Sequence, residues 1–575
     1  MLDKLKEFWK TYARHFKERK ISIVFLSILM ILVAIIDGVS PLIYGNTIDG
    51  ITQNNMKYTF GLILLSFILA IIRSIISSIE GRKTACLILS IANKIKSSLF
   101  EKTIKMKASK LDIYTKGEIF NRLEDSCNNT VKFCVELSKS LIIIVINTVV
   151  PLIFIFRISV NLSVFALMIL PLMFLVTLLF QRVINKIQSE FVKNKDEYTV
   201  FVYNSLESIE GIKSFQIEDT AMSGFQRSIS NIFYIFKRQQ NIGVALRILQ
   251  DVIIAVFNFI VLYLAASYIM SGKFTVGNLV SFSIYIEILF TAISSIMTFS
   301  ISYQQNVIDI TRILDIEHAP FEVNTLDYKI IDEPIIKIEA NHLNFSYSNG
   351  KRILKNLNLK INEPGWYSLV GENGCGKSTF FKILEKFYDC EKNMFFINDY
   401  DICDIDYNSL RNQIAYVSKK NYVVNGTIRD NLKIVDDNLN DQDFIRALEI
   451  VGLYNFIHSL DDGIDTVIGE GALKLSSGQL QKLMIARIVL KQSSVILIDE
   501  VTSDLDAVSE QEIVNVIKAL SKDKIVISIA HRSSFIIPSD KIFYMHDGFI
   551  WESGTHEELM SNCLIYKKMF QSFLN

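Results

Sequence analysis

A nine-residue segment in the last third of the chain has the residue types and spacing of a phosphate-binding loop. It fits the pattern G-x-x-x-x-G-K-[ST] between two apolar runs, which predicts a strand, a loop and a helix. Glycines let successive backbone N–H groups turn towards phosphate oxygens, and the start of the helix adds the positive end of its dipole. The segment is Gly371, Glu372, Asn373, Gly374, Cys375, Gly376, Lys377, Ser378 and Thr379.

An acidic pair further along the chain supports phosphate chemistry over the alternative, a glycine-rich turn with a chance lysine. The apolar run 495–498 predicts a buried strand, and Asp499 and Glu500 follow it. In a phosphate-binding domain we expect Lys377 to reach the β- and γ-phosphates of ATP, and Ser378 and Asp499 to support Mg²⁺. Glu500 can then polarise a water for attack on the γ-phosphate.

The composition excludes several classes of protein. The chain has 575 residues, a formal net charge of zero and 50% apolar residues, which is too apolar for a stand-alone soluble ATPase. Zero net charge argues against nucleic acid as a partner, because it implies no broad basic surface. The seven cysteines show no C-x-x-C spacing, so neither a disulfide framework nor a zinc site is predicted.

The first half predicts a transmembrane domain over residues 1–324. It holds six apolar segments of the roughly 20 residues that a membrane-spanning helix needs. The third segment is the weakest candidate for a membrane-spanning helix, because the charged residue Arg157 ends its apolar run early. The predicted spans lie near 21–43, 59–78, 138–157, 162–181, 251–270 and 276–301.

Loop charge predicts the orientation of this multi-pass protein in the cell membrane. The N-terminus and the links after the second and fourth spans are rich in Lys and Arg, whereas the other links are short and nearly uncharged. We therefore expect both termini and the nucleotide-binding domain in the cytoplasm. The first ten residues predict an amphipathic helix lying on the membrane, with Phe8 and Trp9 inserted.

Asp37, Arg73 and Glu287 are charged residues in the interior of predicted spans. At 1.5 Å per residue, Arg73 and Glu287 fall about 6 Å apart in depth. They either pair with each other or form a polar patch in a transport cavity, since charges within a membrane face the bundle or a cavity. Asp37 is expected nearer the outer surface, in contact with solvent.

The character of the chain changes after a linker at 325–334. Alternating runs such as 335–339 and short apolar runs such as 525–529 predict strands, and helical segments separate them. This organisation predicts an α/β nucleotide-binding domain over residues 335–575.

Further motifs in this half resemble those of ATP-binding cassette (ABC) transporters. Leu475-Ser-Ser-Gly-Gln479 is similar to the family's signature, usually Leu-Ser-Gly-Gly-Gln. Phe345-Ser-Tyr347 and Ile529-Ala-His-Arg532 resemble its adenine-stacking segment and its switch histidine, and Gly117–Arg122 resembles the first intracellular loop of six-helix exporters. The chain is identified as an exporter-type half-transporter, with a six-helix membrane bundle fused to an α/β ABC domain.

The resemblance implies a role for each matching residue. Tyr347 would stack on adenine, the loop Gly371–Thr379 would hold the triphosphate, and Glu500 and His531 would be catalytic. The signature would contact the γ-phosphate held by another chain, so a second half-transporter, identical or different, is the implied partner. The signature residues are Ser476, Ser477, Gly478 and Gln479.

Two positions depart from the family pattern. Ser477 replaces the first signature glycine, and Lys419 stands where the family has a glutamine that contacts Mg²⁺ and the attacking water. A lysine ammonium carries no acceptor, so it cannot ligate a cation while charged.

The resemblance implies ATP-driven export by alternating access in a dimer, with ATP and Mg²⁺ as cofactors. The expected cargo is a lipid, a peptide or a hydrophobic small molecule, and membrane lipid is a further partner. Import of a metal–chelate complex by an exporter-like fold is one alternative. A nucleotide-gated channel or membrane sensor, which the departure at Lys419 leaves open, is another.

Overall fold

The computed structural model describes residues 2–272, 274–322, 328–347, 350–418, 423–469, 472–501 and 506–574. The chain divides into two compact units. The first contains Met1–Lys105 and Tyr114–Ala319, and the second contains Met106–Ile113 and Pro320–Asn575.

The first unit is built from helices. A π-helical turn at Arg122–Ser126 leads into the helix that begins at Cys127, and the short helix Ala108–Leu111 belongs to the second unit. In chain order the helices are α1 (Leu2–Lys17), α2 (Lys20–Thr52), α3 (Met56–Ile104), α4 (Ala108–Leu111), α5 (Lys116–Asn121), α6 (Cys127–Ile158), α7 (Val160–Glu207), α8 (Ile209–Ser214), α9 (Glu218–Met270) and α10 (Val276–Glu317).

Several of these helices are long and apolar enough to cross a membrane. Among the described residues they are α2, α3, the helical stretch Lys116–Ile158 and α9, and Val276–Ala292 on α10 is a shorter apolar stretch. The fourth predicted span lies on α7. At 1.5 Å per residue, the 49 residues of α3 extend about 74 Å, well beyond a hydrocarbon layer of about 30 Å. The predicted membrane region therefore consists of helices with the length and composition that spanning requires, and they are long enough to continue outside a bilayer.

The N-terminal helix differs from its prediction. Phe8 is fully buried within the unit, and Tyr12 and Phe16 on the same face are nearly so. The Tyr12 hydroxyl donates to Glu317 on α10 at 2.6 Å, and Lys102 on α3 pairs with the same carboxylate. The apolar face of α1 thus packs against other helices, which offer it a more complementary surface than lipid does.

The intramembrane charges also pair differently from the expectation. Arg73 forms a bidentate ion pair with Asp37: Nε donates to Oδ1, and Nη2 donates to Oδ2 at 3.1 Å. The partner of Arg73 is therefore Asp37 and not Glu287. Asp37 on α2 and Arg73 on α3 lie on two helices that pack against each other. Asp37 and Arg73 thus neutralise each other, which lowers the cost of placing either charge in a membrane.

The described residues of the second unit form three sheets. Its main sheet has the order β12-β11-β3-β10-β9-β6, a second has the order β2-β1-β4-β5, and β7 pairs with β8. The strands are β1 (Ile338–Ser346), β2 (Arg352–Ile361), β3 (Gly365–Gly371), β4 (Phe395–Ile397), β5 (Tyr400–Asp401), β6 (Ile414–Ser418), β7 (Gly426–Thr427), β8 (Val467–Ile468), β9 (Val495–Asp499), β10 (Ile525–Ile529), β11 (Lys541–His546) and β12 (Phe549–Gly554).

Helices cover the main sheet, and residues of both of its faces are buried. On β3, Trp366 and Val370 belong to one hydrophobic cluster and Tyr367 and Leu369 to another, as the alternation of side chains along a strand requires. The helices are α11 (Lys377–Leu384), α12 (Tyr407–Gln413), α13 (Ile428–Lys433), α14 (Asp441–Ile450), α15 (Tyr454–His458), α16 (Ser477–Leu490), α17 (Ala507–Leu520), α18 (Ser533–Ile536), α19 (His556–Asn562) and α20 (Leu564–Leu574). The predicted α/β fold class is confirmed.

A short segment of the membrane half belongs to the second unit. In the segment Met106–Ile113, Lys107 lies 2.6 Å from the Asp389 carboxylate, and Asp112 accepts a hydrogen bond from the Tyr388 hydroxyl. Tyr388 and Asp389 follow the helix that begins at the phosphate loop. Contacts of Met106–Ile113 thus reach close to the candidate nucleotide site.

Candidate nucleotide-binding site

Four neighbouring parallel strands carry the predicted motifs to one edge of the main sheet. The phosphate loop follows β3, Glu500 follows β9, and His531 lies two residues beyond β10. In the sheet, Ile529 pairs with both Leu369 and Asp499, so these strand ends are level with one another. The fourth strand, β6, pairs with β9, and Lys419 comes directly after it but lies outside the described residues.

The phosphate loop depends on glycine at the start of α11. Gly376 has φ of +113°, and a Cβ built on it would lie 2.6 Å from the Leu354 Cδ2 atom. Gly374 also has a positive φ, of +81°. These backbone conformations suit glycine, and they let the chain turn so that the first N–H groups of α11 face the loop.

Lys377 is held inside the loop that it follows. Its side chain is buried, and Nζ donates to the carbonyl oxygens of Gly371 at 2.7 Å and Glu372 at 2.9 Å. Burial lowers the pKa of Lys377, because removal from water disfavours the ammonium form. These two carbonyls hold the ammonium group at the position where an anion bound by the loop would meet it.

Asp499 has two hydroxyl partners at the end of β9. The Tyr416 hydroxyl donates to its Oδ2 at 3.2 Å, and the Ser378 side chain makes a polar interaction with the same carboxylate. Burial nevertheless raises the pKa of Asp499. Tyr416 was not predicted to be a site residue. The sequence signal for it is a tyrosine between Ala415 and Val417, whose side chain lies on the opposite face of the strand from theirs and can meet a polar partner there.

Glu500 and His531 form a contact pair beside the loop. The His531 Nε2 lies 3.1 Å from the Glu500 Oε1, and the Glu500 side chain remains 43% exposed. Burial lowers the pKa of His531, and the Lys377 charge lowers it further. Glu500 has φ of +53°, a conformation uncommon for residues other than glycine and often concentrated at functional sites.

Tyr347 lies near the loop through its hydroxyl group. Its Oη lies 3.0 Å from the Thr379 Oγ1. Its ring makes edge contacts with Phe345 and Tyr388, with centroids 5.1 and 5.2 Å apart. The Tyr347 ring therefore belongs to an aromatic cluster at one end of the phosphate loop. A planar base bound there could stack on this ring.

The signature residues lie at the N-terminus of a different helix, α16. Ser476 caps α16: its hydroxyl accepts from the Gln479 backbone N–H at 3.3 Å, and the Gln479 side chain accepts from the Ser476 N–H at 2.9 Å. Ser477 begins the helix and Gly478 follows it. Within the described part of the chain, no hydrogen bond or ion pair joins the segment 476–479 to the phosphate loop.

Comparison with known proteins identifies both halves of the chain. Residues 354–503 match the family described as ABC transporter, and residues 23–293 match the ABC transporter transmembrane region. Proteins of Staphylococcus aureus strains NCTC 8325 and COL, named as multidrug export ATP-binding/permease proteins, are each 27% identical over 98% of this chain and 99% of their own length. A solved structure of a bacterial Atm1-family ABC exporter with ATP bound has a TM-score of 0.82 and 22% identity, and the alignment covers 96% of this chain and 98% of that one.

Proposed function

Because the chain belongs to the ABC transporter family, with the membrane region and the ATP-binding domain in one polypeptide, we propose that it exports a substrate across the membrane. The substrate class is a lipid, a peptide or a hydrophobic small molecule. ATP hydrolysis drives the transport, as expected of an ATPase of this family. The observation that carries the proposal is the convergence of Lys377, Asp499, Glu500 and His531 at one sheet edge, in a chain whose other half is a set of long apolar helices.

The phosphate loop and its neighbours bind ATP in this proposal. Backbone N–H groups of the loop donate hydrogen bonds to the phosphate oxygens. The Lys377 ammonium leaves its two carbonyl partners and binds the β- and γ-phosphates. The Tyr347 ring stacks on adenine from its place beside Thr379.

Glu500 and His531 act on the γ-phosphate. Glu500 takes a proton from the attacking water as the new oxygen–phosphorus bond forms and the bond to the β-phosphate bridge breaks. The exposed Glu500 carboxylate is accessible to water, and the nearby His531 positions it and contacts the γ-phosphate. This leaves ADP and phosphate as products.

The residues beside the loop suit Mg²⁺. The Ser378 hydroxyl and the Asp499 carboxylate interact with each other beside the loop, and oxygen donors of this kind are the ones that Mg²⁺ prefers. Among the described residues there is no group of three His, Cys, Asp or Glu side chains that could hold a metal. This fits an ion that takes its other ligands from phosphate and water. When bound, Mg²⁺ neutralises charge on the phosphate oxygens.

Two chains complete the ATP site in this proposal. The signature residues Ser476–Gln479 and the phosphate loop begin different helices, α16 and α11. As the resemblance to the family implies, the signature of one chain serves the phosphate loop of its partner. The basic links support a cytoplasmic location for both termini and for the ATP-binding domains. Contacts of the segment Met106–Ile113 with Tyr388 and Asp389 give the domain a means to move the membrane helices.

Proteoliposomes test the direction and the coupling of transport. External ATP energises only those molecules whose ATP-binding domains face the medium, so export appears as movement into the vesicle. We expect ATP-dependent accumulation of at least one of three probes: rhodamine 6G, a fluorescent peptide or a fluorescent phospholipid. ATP-driven loss of a preloaded probe would indicate import. Hydrolysis without movement of any of the three would refute the proposed transport.

A further inference from the structure

Two adjacent cavities lie beside the first turns of α2. The first, which we call the α1-side cavity, has a volume of about 380 Å³ and apolar walls that include Phe16, Leu26 and Met30. The second, the α3-side cavity, has a volume of about 410 Å³ and is lined in part by Ile21 and Phe25. Both volumes fall in the range of about 300–1,000 Å³ that is typical of small-molecule sites.

The two cavities are parts of one region of the first unit. Leu26 on α2 and Leu87 on α3 line both of them, and each of these side chains is 5% exposed. The apolar side chains at the rim are exposed instead of buried: Ile21 is 79% exposed and Val24 is 57% exposed. An apolar interior that continues into an exposed apolar rim suits a flexible hydrocarbon chain that enters from the side.

The polar border of both cavities is basic. Lys17, Lys20 and Lys139 line the α1-side cavity, and Arg19 and Lys83 line the α3-side cavity. Lys139 is neutralised by Glu80, at 2.5 Å. Within the described part of the chain, the other four cations have no carboxylate within 4.0 Å.

Nearby carboxylates are already committed to other partners. Glu18, which lies between Lys17 and Arg19 in the chain, pairs with Lys94 on α3 and lies 3.6 Å from Arg14. The four exposed cations are therefore available to an anion from outside the chain.

The depth of the site matches the boundary between lipid headgroups and acyl chains. Leu26 lies six residues after the start of α2, which at 1.5 Å per residue is about 9 Å along the helix. Residues such as Lys17 and Lys20 then reach the headgroup layer while the apolar walls lie among the acyl chains.

We propose that these cavities bind an anionic glycerophospholipid of the cytoplasmic leaflet, with its acyl chains against Leu26 and Leu87 and its phosphate among Lys17, Arg19, Lys20 and Lys83. The site lies at the edge of the helix bundle and is separate from the ATP site. It depends on α2 crossing the membrane and does not depend on ATP hydrolysis. A hydrophobic cation is disfavoured as an occupant by the same four charges.

Native mass spectrometry of the purified full-length chain tests the site. The probes are dioleoyl-phosphatidylglycerol and, as the uncharged comparison, dioleoyl-phosphatidylcholine. We expect the first to bind more tightly to the wild type. The triple variant Lys17→Gln, Lys20→Gln and Lys83→Gln should lose about tenfold or more of this preference, since each basic residue near an anionic lipid contributes measurably to binding.

A matched control separates a site from general surface charge. Lys6→Gln, Lys10→Gln and Arg82→Gln remove the same charge from the same region of the chain, but none of these residues lines either cavity. We expect this control to keep the wild-type preference. An equal loss in both triple variants, or equal binding of the two lipids by the wild type, would overturn the proposal.

A second variant tests the cavity independently of charge. Ala13 lines the α1-side cavity, so Ala13→Phe should fill it and weaken phosphatidylglycerol binding several-fold with every cation in place. Thermal unfolding of the variant checks that it is folded, and ATPase activity should persist. Unchanged lipid binding by a folded Ala13→Phe protein would place the lipid on the outer surface and refute the cavity.

Discussion

Glu500 combines an exposed carboxylate, a left-handed backbone and an imidazole 3.1 Å away. Glu500→Gln keeps the size of the side chain and removes its basicity. We expect ATP hydrolysis to fall about 10²- to 10⁴-fold, because general-base catalysis contributes about that much. ATP binding should be preserved and should trap a nucleotide-bound dimer, since Lys377, Ser378 and Asp499 are unchanged.

Phosphate release and a fluorescent ATP analogue measure these two effects separately. Glu449→Gln, at an exposed position on α14, is the control and should hydrolyse ATP at the wild-type rate. Wild-type turnover by the Glu500→Gln protein would remove Glu500 from its proposed role.

Lys419 is a second residue whose substitution tests the proposed ATP hydrolysis. It follows β6, whose last residue pairs with Asp499, and it occupies the family's glutamine position. An ammonium group near Mg²⁺ adds repulsion between like charges, so Lys419→Gln should raise ATP hydrolysis or leave it unchanged. Hydrolysis rates with and without reconstituted lipid measure the effect. A clear fall in both conditions would show that Lys419 has acquired its own function.

Among the elements, α2 and α10 make an unusually close crossing. Asp49 at the end of α2 accepts from the Gly277 N–H at 2.8 Å and from the Thr275 hydroxyl at 2.7 Å, and so holds the start of α10. A Cβ built on Gly277 would lie 2.1 Å from the Gly45 carbonyl oxygen. The crossing therefore requires glycine on both helices.

Gly277→Ala should consequently destabilise the helix bundle. Relief of this overlap moves backbone, and overpacking of this kind typically costs about 1–3 kcal/mol. The control is Gly81→Ala on α3, where a Cβ meets no described atom within 4 Å and alanine should stabilise the helix by about 0.5–1 kcal/mol. Thermal unfolding in detergent should shift in opposite directions for the two variants. A shift in the same direction would contradict the close crossing.

At the scale of the whole molecule, the separation of phosphate loop and signature predicts complementation between chains. Lys377→Ala removes the phosphate contact, and Ser476→Arg blocks the signature. Each variant alone should lose nearly all ATP hydrolysis. When the two are mixed, one of the two shared sites in each mixed dimer combines an intact loop with an intact signature.

Differently tagged chains, co-expressed and purified through both tags, measure this recovery. We expect a substantial part of the wild-type rate per mixed dimer, and the double variant Lys377→Ala with Ser476→Arg, paired with itself, is the inactive control. Mixed dimers as inactive as that control would mean that each chain uses its own signature.

The sequence alone determined the parts of the protein whose signal is local. The phosphate loop, the acidic pair after β9 and the apolar helical segments were all predicted, because each depends on neighbouring residues and on hydropathy along a continuous stretch. The convergence of these motifs also followed from the strand pattern, since parallel strands end at the same edge of a sheet.

Only the tertiary structure decided which distant side chains meet. Arg73 pairs with Asp37 on the neighbouring helix, Tyr416 donates to Asp499 from the adjacent strand, and Phe8 on α1 is buried by other helices of its unit. Sequence spacing gives the depth of a residue along its own helix. It does not give the rotation of that helix or the identity of its neighbour, and these depend on how whole faces pack against one another. Which charges pair, and whether an amphipathic helix packs against protein or lies against lipid, therefore depend on the assembled fold.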